Sequence, residues 1–450
     1  MKPGRILFVP MIRPHSGVQP GRSSGYTVVA ASFVVQGTIV GAIFTYGVFF
    51  DVLHAELGWS RAVISAGSAL TSLVMGVGAM AFGRVTDKAG PRGILGIAAI
   101  VLSLGYLLMS RMSAPWHLFV AYPLLVGIAF GTHDVVTLST VARWFETRLG
   151  RMSAIVKAGT GTGQVIGPTA AAALISMFGW RNAYLWIAAV TGPLVFIASR
   201  FMRRPPHDLN APREDRLPAA AQNGPAGSSP PGADAPPDTS RRPAPDTPRP
   251  PVPSAPSPGA RELMRRPEFV RLCIAQASFF FCAPTIIVHA VPYATDLGIE
   301  RTVAAGVLSA IGGISIVGRL VIGSAIDRVG GRATLLICYA ILVVAFVLLL
   351  FAGNVVLLYL FAIVYGFAHG GAFTSVSPLV AELFGTRVHG LLYGTIVFVG
   401  TLAGAIGPIF AGGLFDMLGT YRPAFLVMIV VVLVGLVSIA SIRPRGRGIG

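Results

Sequence analysis

Long apolar runs separated by short polar connections dominate the chain. Stretches such as Tyr26–Phe50, Gly93–Ser110, Arg181–Ala198, Ala333–Ala352 and Ala424–Ile442 each approach or exceed the ~20 residues a helix needs to cross a bilayer. Helices of a large soluble protein would show a polar face at helical period, and these segments lack one. The pattern predicts an all-α membrane protein of about 12 transmembrane helices. One low-complexity stretch interrupts it. From 205 to 260 the chain is rich in Pro, Ala, Gly and Asp, for example Pro230-Pro231-Gly232 and Pro250-Pro251-Val252-Pro253. Such a composition cannot build a core and is expected to be a disordered linker.

Composition agrees with the pattern. Charged residues make up 12 % of the chain and mean hydropathy is +0.71, against roughly 25 % charged residues in soluble domains. The formal net charge of +17 could point to nucleic acid, but its placement points to topology instead. With both termini inside and the helices alternating, the outer side receives only Arg61, Arg111, Arg181, Arg301 and Arg422. Nearly all the other basic residues fall on the inner side, as the positive-inside rule requires of a multi-pass inner (plasma) membrane protein. Pro10, Pro14 and Pro20 interrupt the basic N-terminal stretch, so a cleaved signal peptide is not expected. Cys273, Cys282 and Cys338 lie in or near spans without metal-ligand spacing and read as packing residues.

The two sides of the linker repeat each other. Gly83-Arg84-Val85-Thr86-Asp87-Lys88-Ala89-Gly90-Pro91-Arg92 matches Gly323-Ser324-Ala325-Ile326-Asp327-Arg328-Val329-Gly330-Gly331-Arg332 at an offset of 240. Leu57-Gly58 matches Leu297-Gly298 and Gly167-Pro168 matches Gly407-Pro408 at the same offset, and Phe145 matches Phe384 at 239. Internal duplication explains matches at one offset in separate regions. The expected organisation is a cytoplasmic tail (1–25), a six-helix bundle (26–204), the linker (205–260), a second six-helix bundle (261–442) and a short cytoplasmic tail (443–450). The paired G-x-x-x-D-[KR]-x-G-x-R loops resemble the signature loop of the major facilitator superfamily. That resemblance implies two pseudo-symmetric six-helix bundles that rock about a central site. Gly83, Asp87, Arg92, Gly323, Asp327 and Arg332 then become gating residues. Each Asp sits where a helix meets the cytoplasm, with nearby Arg and the N-terminus of the next helix as prospective partners.

Few polar residues interrupt the apolar spans. Arg319 lies eight residues before Asp327, ~12 Å inside the membrane at ~1.5 Å per residue. A guanidinium at that depth normally faces a cavity and a partner, and Arg can hold a carboxylate with two parallel hydrogen bonds. Its repeat counterpart is Ala79, so the architecture itself requires no cation there. Lys157 and Asp134 lie at matching depths in adjacent spans, and a structural ion pair between them competes with a substrate or proton role. His133, His289 and His369 fall within apolar stretches, where packing competes with proton carriage. Phe373 and Tyr365 stand one turn either side of His369. The run Ala158-Gly159-Thr160-Gly161-Thr162-Gly163-Gln164 imitates a phosphate loop, but no strand precedes it. Inside a span, its small residues favour close helix packing.

Two further stretches narrow the resemblance. Arg143-Trp144-Phe145 with Arg148 and Ala158-Gly159 is similar to the fifth-helix signature of the monocarboxylate transporters. Val288-His289-Ala290-Val291-Pro292-Tyr293 with Asp296-Leu297-Gly298 is similar to the seventh-helix segment of their bacterial members. That family implies proton-coupled transport of lactate- or pyruvate-like acids, with Arg319 binding the carboxylate. The expected substrate-binding set is Arg319, Ser315, His133, His369, Phe373 and Lys157. Candidate proton carriers are Asp134, His133, His369 and His289. The acidic residue that mammalian members carry one turn before the Arg is Ser315 here, and their first-helix Lys is Phe44, so either the proton carrier differs or coupling is weak. The oxalate–formate exchangers, which use two cavity cations, are the alternative, and a non-transporting membrane receptor is a third reading. The expected partners are a small organic anion, a proton and the lipid bilayer, without nucleic acid. No cofactor, metal site or enzymatic nucleophile–base pair is expected.

Overall fold

The computed structural model describes residues 20–205 and 259–443. The expected tails and linker fall outside these residues, apart from a few positions at their edges. Eleven helices among the described residues are long and apolar enough to cross a bilayer. They are Ser24–Phe50 (α1), Val63–Ala89 (α2), Pro91–Met109 (α3), Pro115–Trp144 (α4), Leu149–Phe201, Pro267–Asp296 (α7), Val303–Val329 (α8), Gly331–Leu350 (α9), Val355–Phe384 (α10), His389–Leu418 (α11) and Arg422–Ala440 (α12). The run Leu149–Phe201 has 53 residues, ~80 Å of helix and far more than one crossing needs. It breaks at Gly179, whose φ of 75° and ψ of 162° are not helical. The two arms, 149–178 (α5) and 180–201 (α6), complete twelve crossings. The break is pinned from outside: Trp180 Nε1 donates to Glu56 at 2.5 Å, and Arg181 donates to the carbonyls of Ser110 and Met112.

Backbone geometry records the duplication independently of side chains. Gly58, Gly90 and Gly179 have positive φ, and so do Gly298, Gly330 and Gly419, each 240 residues later. A left-handed φ strains any residue with a Cβ, so these glycines mark the same turns in each half. The predicted spans lie within three residues of the observed ones at every end. Outward-facing aliphatic side chains such as Ile97, Val190, Val356, Ile409 and Val437 are exposed, as a lipid-covered surface requires.

Within the first half, α1 packs tightly on α5. A Cβ on Gly41 would meet the carbonyl oxygen of Gly163 at 3.1 Å, and one on Gly37 would meet that of Gly159 at the same distance. The glycine run of α5 is therefore a helix-packing seam. The halves meet along two further seams, α2 against α11 and α5 against α8. The chain leaves at 205 and re-enters at 259 at the same end of the bundle as the α2–α3 and α8–α9 turns. That end is called the linker end below.

Candidate functional site

Arg319 is 1 % exposed, on the face of α8 that meets α5. Its Nη1 donates to the carbonyl oxygen of Lys157 at 2.9 Å, and its Nε is buried with no hydrogen-bond partner. Gly161 makes the approach possible, since a Cβ there would meet Nη1 at 2.7 Å. No carboxylate pairs with Arg319 among the described residues. Lys157 is paired: its Nζ lies 2.5 Å from Asp134 Oδ1. Asp134 Oδ1 also accepts from Gln36 Nε2 at 2.9 Å, and its Oδ2 accepts from Tyr393 Oη at 2.6 Å. Gln36 is fixed in turn, donating to Thr137 and accepting from Thr160 at 2.7 Å. A buried carboxylate is tolerated when ion-paired and fully hydrogen-bonded, and Asp134 meets both conditions with donors from α1, α5 and α11. Arg319, Lys157 and Asp134 together leave one uncompensated positive charge in the membrane interior.

An aromatic wall adjoins these charges. The Phe373 ring centroid lies 5.2 Å from Lys157 Nζ, within cation–π range. Phe279 and Phe280 pack against Phe373, and His369 lies between Phe373 and Tyr365, with Tyr365 Oη 3.3 Å from its Nδ1. Other anticipated residues stand differently. Ser315 is buried, and its hydroxyl donates to the Gly312 carbonyl one turn back. His133 stacks on Phe130, its Nδ1 against the Phe130 carbonyl oxygen at 2.5 Å. His289 does not join the cluster. Its ring nitrogens face Tyr421 Oη and the Pro408 carbonyl, inside the second bundle. Two turns before Arg319 on the same face of α8, a Cβ on Gly312 would meet nothing within 4 Å.

The linker end is closed by two matching contacts. Asp87 accepts from the backbone N–H groups of Gly390 and Leu391 at 3.0 and 2.9 Å. Asp327 accepts from those of Gly150 and Arg151 at 2.6 and 3.1 Å. Each carboxylate thus caps the N-terminus of a helix in the opposite half, where free N–H groups and the helix dipole favour negative charge. This corrects the expectation that the next helix supplies the partner. In the first half that helix begins with Pro91, which has no N–H to offer. Gly83 lies against the Gly390 backbone and Gly323 against Gly150 and Ala154, with no room for side chains. Arg92 and Arg332 do not bridge the halves: Arg92 is exposed, and Arg332 donates to the Ala440 carbonyl at 2.6 Å. The two contacts also differ. Arg143 pairs with Asp87 at 2.5 Å, whereas its counterpart at offset 239 is Glu382, which accepts from the Gly331 N–H instead.

Comparison with known proteins matches the family described as Major Facilitator Superfamily over residues 32–328 and 286–448. The chain belongs to the major facilitator superfamily. Within this superfamily it is 22 % identical to Monocarboxylate transporter 12 of Mus musculus, over 90 % of this chain and 83 % of that one. It is 24 % identical to Monocarboxylate transporter 7 of Homo sapiens, over 96 % of this chain and 88 % of that one. Among solved structures, the human organic anion transporter MFSD10 superposes with a TM-score of 0.67 at 17 % identity, covering 94 % of this chain and all of the other. The major facilitator architecture brings Gln36, Thr160 and Tyr393 into the polar cluster, and sequence reading had singled out none of them. Gln36 had one available signal, a repeat partner in Gln276. The cluster forms where the halves of this superfamily member diverge: Asp134, Lys157 and Arg319 correspond to Phe373, Val397 and Ala79 at offsets of 239, 240 and 240.

Proposed function

We propose that this major facilitator transporter carries small monocarboxylates of the lactate or pyruvate type, with a proton, by alternating access. The observation that carries the reading is the buried Arg319, with an unpartnered Nε and no carboxylate partner among the described residues. A substrate carboxylate is the group that would satisfy that edge. The aromatic wall of Phe279, Phe280 and Phe373 suits a small apolar body, and the printed names of the monocarboxylate transporter relatives agree. The basic residues Arg84, Lys88, Arg92, Arg148 and Arg151 cluster at the linker end. This supports a cytoplasmic placement of that end and both termini, in a cell inner membrane.

The charges supply the coupling. A carboxylate arriving at Arg319 competes with Asp134 for Lys157. Once stripped of its counter-ion, Asp134 is a buried carboxylate in a low dielectric, and taking a proton from the aqueous side removes that cost. Ionised Asp134 with no substrate, and protonated Asp134 with one monocarboxylate, leave the same net charge in the site. Both forms can reorient, as symport requires. A dicarboxylate exchanger would use Lys157 and Arg319 together. The 2.5 Å pairing of Lys157 with Asp134 weighs against that use in the resting site.

The test is uptake of labelled L-lactate into proteoliposomes with and without an inward proton gradient, with pyruvate and oxalate as competitors. Gradient-driven uptake blocked by pyruvate is the expected result. Oxalate exchange indifferent to the gradient, with no lactate flux, would replace this reading by exchange.

A further inference from the structure

The first turns of α11 are fastened to the other half at successive positions. His389 Nδ1 lies 3.3 Å from Ser139 Oγ, the Gly390 and Leu391 N–H groups hold Asp87, and Tyr393 Oη donates to Asp134 Oδ2 at 2.6 Å. The first three contacts belong to the linker-end gate. The fourth lies within the next turn and ends on the carboxylate that holds Lys157. Tyr393 is 1 % exposed, and its hydroxyl has no second hydrogen-bond partner among the described residues. At offset 240 the other half has Ser153, whose buried hydroxyl reaches nothing, so this fastening exists on one seam only.

We propose that the Tyr393–Asp134 hydrogen bond is the latch through which the charge state of the binding site holds or releases the linker-end gate. The proposal rests on the reading that Asp134 takes the transported proton. With Asp134 ionised, the phenol donates to a carboxylate, a bond roughly twice as strong as one between neutral groups. When a substrate carboxylate draws Lys157 away and a proton from water on the open side binds Asp134, the latch becomes an ordinary neutral bond. The α11 N-terminus can then part from α2 and α4. As Lys157 returns to Asp134 after substrate leaves, the proton passes to water on the linker side and the latch re-forms. Tyr393 is thus a positioning residue that acts through Asp134. The charged or titratable groups around that carboxylate are Lys157 on α5, Arg319 on α8, Tyr393 on α11 and neighbouring His133 on α4, with neutral Gln36 on α1 and His369 on α10 near both cations.

The test is hydrogen–deuterium exchange on the purified full chain without substrate, comparing wild type with Tyr393→Phe, Asp134→Asn and the double variant. Each single variant should speed exchange in the first three turns of α11 about tenfold, the loss expected for one charge-assisted hydrogen bond. The double variant should be no faster, since both changes remove one link. Unchanged exchange in α3 and α9 separates release of the gate from general loosening. In proteoliposomes, wild-type lactate uptake should rise as outer pH falls, while Tyr393→Phe should show a shallower dependence with KM unchanged. Exchange at α11 in Tyr393→Phe within twofold of wild type would overturn the latch, and so would full additivity in the double variant. Acceleration in His389→Gln but not in Tyr393→Phe would also overturn it, moving the latch to the Ser139 contact. If wild type carries no lactate, the substrate reading fails and the exchange measurement still decides the latch.

Discussion

At Arg319 and Lys157 two cations are buried together with one carboxylate, and the asymmetry makes each side chain separately testable. Arg319→Ala should abolish carboxylate uptake while membrane insertion and folding persist, because the guanidinium binds no carboxylate among the described residues. Arg319→Lys should also lose most activity, since an ammonium cannot reproduce the planar fork. Both are checked by uptake into proteoliposomes against the amount of reconstituted protein; normal flux through Arg319→Ala would refute a carboxylate site there. Lys157 behaves differently. Lys157→Met removes the counter-ion of a buried carboxylate, a loss of about 3–5 kcal/mol when one partner of such a pair is deleted. Adding Asp134→Asn removes the orphaned charge as well. The double variant should therefore melt closer to wild type than Lys157→Met does, while remaining uncoupled from the proton gradient. Equal melting temperatures for the single and double variants would show that the pair carries no structural weight.

At the scale of helices, the α1–α5 seam sets how closely the polar cluster can assemble. Gln36 on α1 reaches Thr160 on α5 and Asp134 on α4 because Gly37 and Gly41 lie on the backbone of Gly159 and Gly163. Gly163→Val places two methyl groups against the Gly37 carbonyl. Overpacking of this kind costs about 1–3 kcal/mol, so a lower melting temperature and impaired uptake are expected; a variant as stable and active as wild type would mean the seam is loose. The helices themselves were legible in the sequence, because burial in lipid demands unbroken apolar runs and the turns repeat at fixed glycines. The depth match of Asp134 and Lys157 foretold a possible pair, and the glycine run foretold a packing seam. The partners of Asp87 and Asp327 were not legible, because they belong to helices about 300 and 180 positions away in the opposite register of the chain. Tyr393 was invisible for a related reason. A tyrosine in an apolar span has no distinguishing pattern until folding sets it against a carboxylate from the other half.

For the whole molecule, the decisive quantity is the charge that crosses the membrane in one cycle. The site holds the same net charge when empty with Asp134 ionised as when loaded with one monocarboxylate and one proton, and that cargo is electrically neutral. The membrane potential therefore has no net charge to act on over a complete cycle. An anion carried without a proton would feel about 2.3 kcal/mol for each 100 mV, equivalent to roughly a 50-fold change in its accumulation. The prediction is that a potassium diffusion potential of about 100 mV, of either sign and at equal pH on both sides, leaves steady-state lactate accumulation unchanged within about twofold. A pH gradient of one unit should by contrast shift it about tenfold. Strong dependence on potential with indifference to pH would mean that the anion moves alone. Asp134 would then stay ionised on Lys157 throughout the cycle, and the positive charge left by Arg319 would itself be the transported anion's counter-charge.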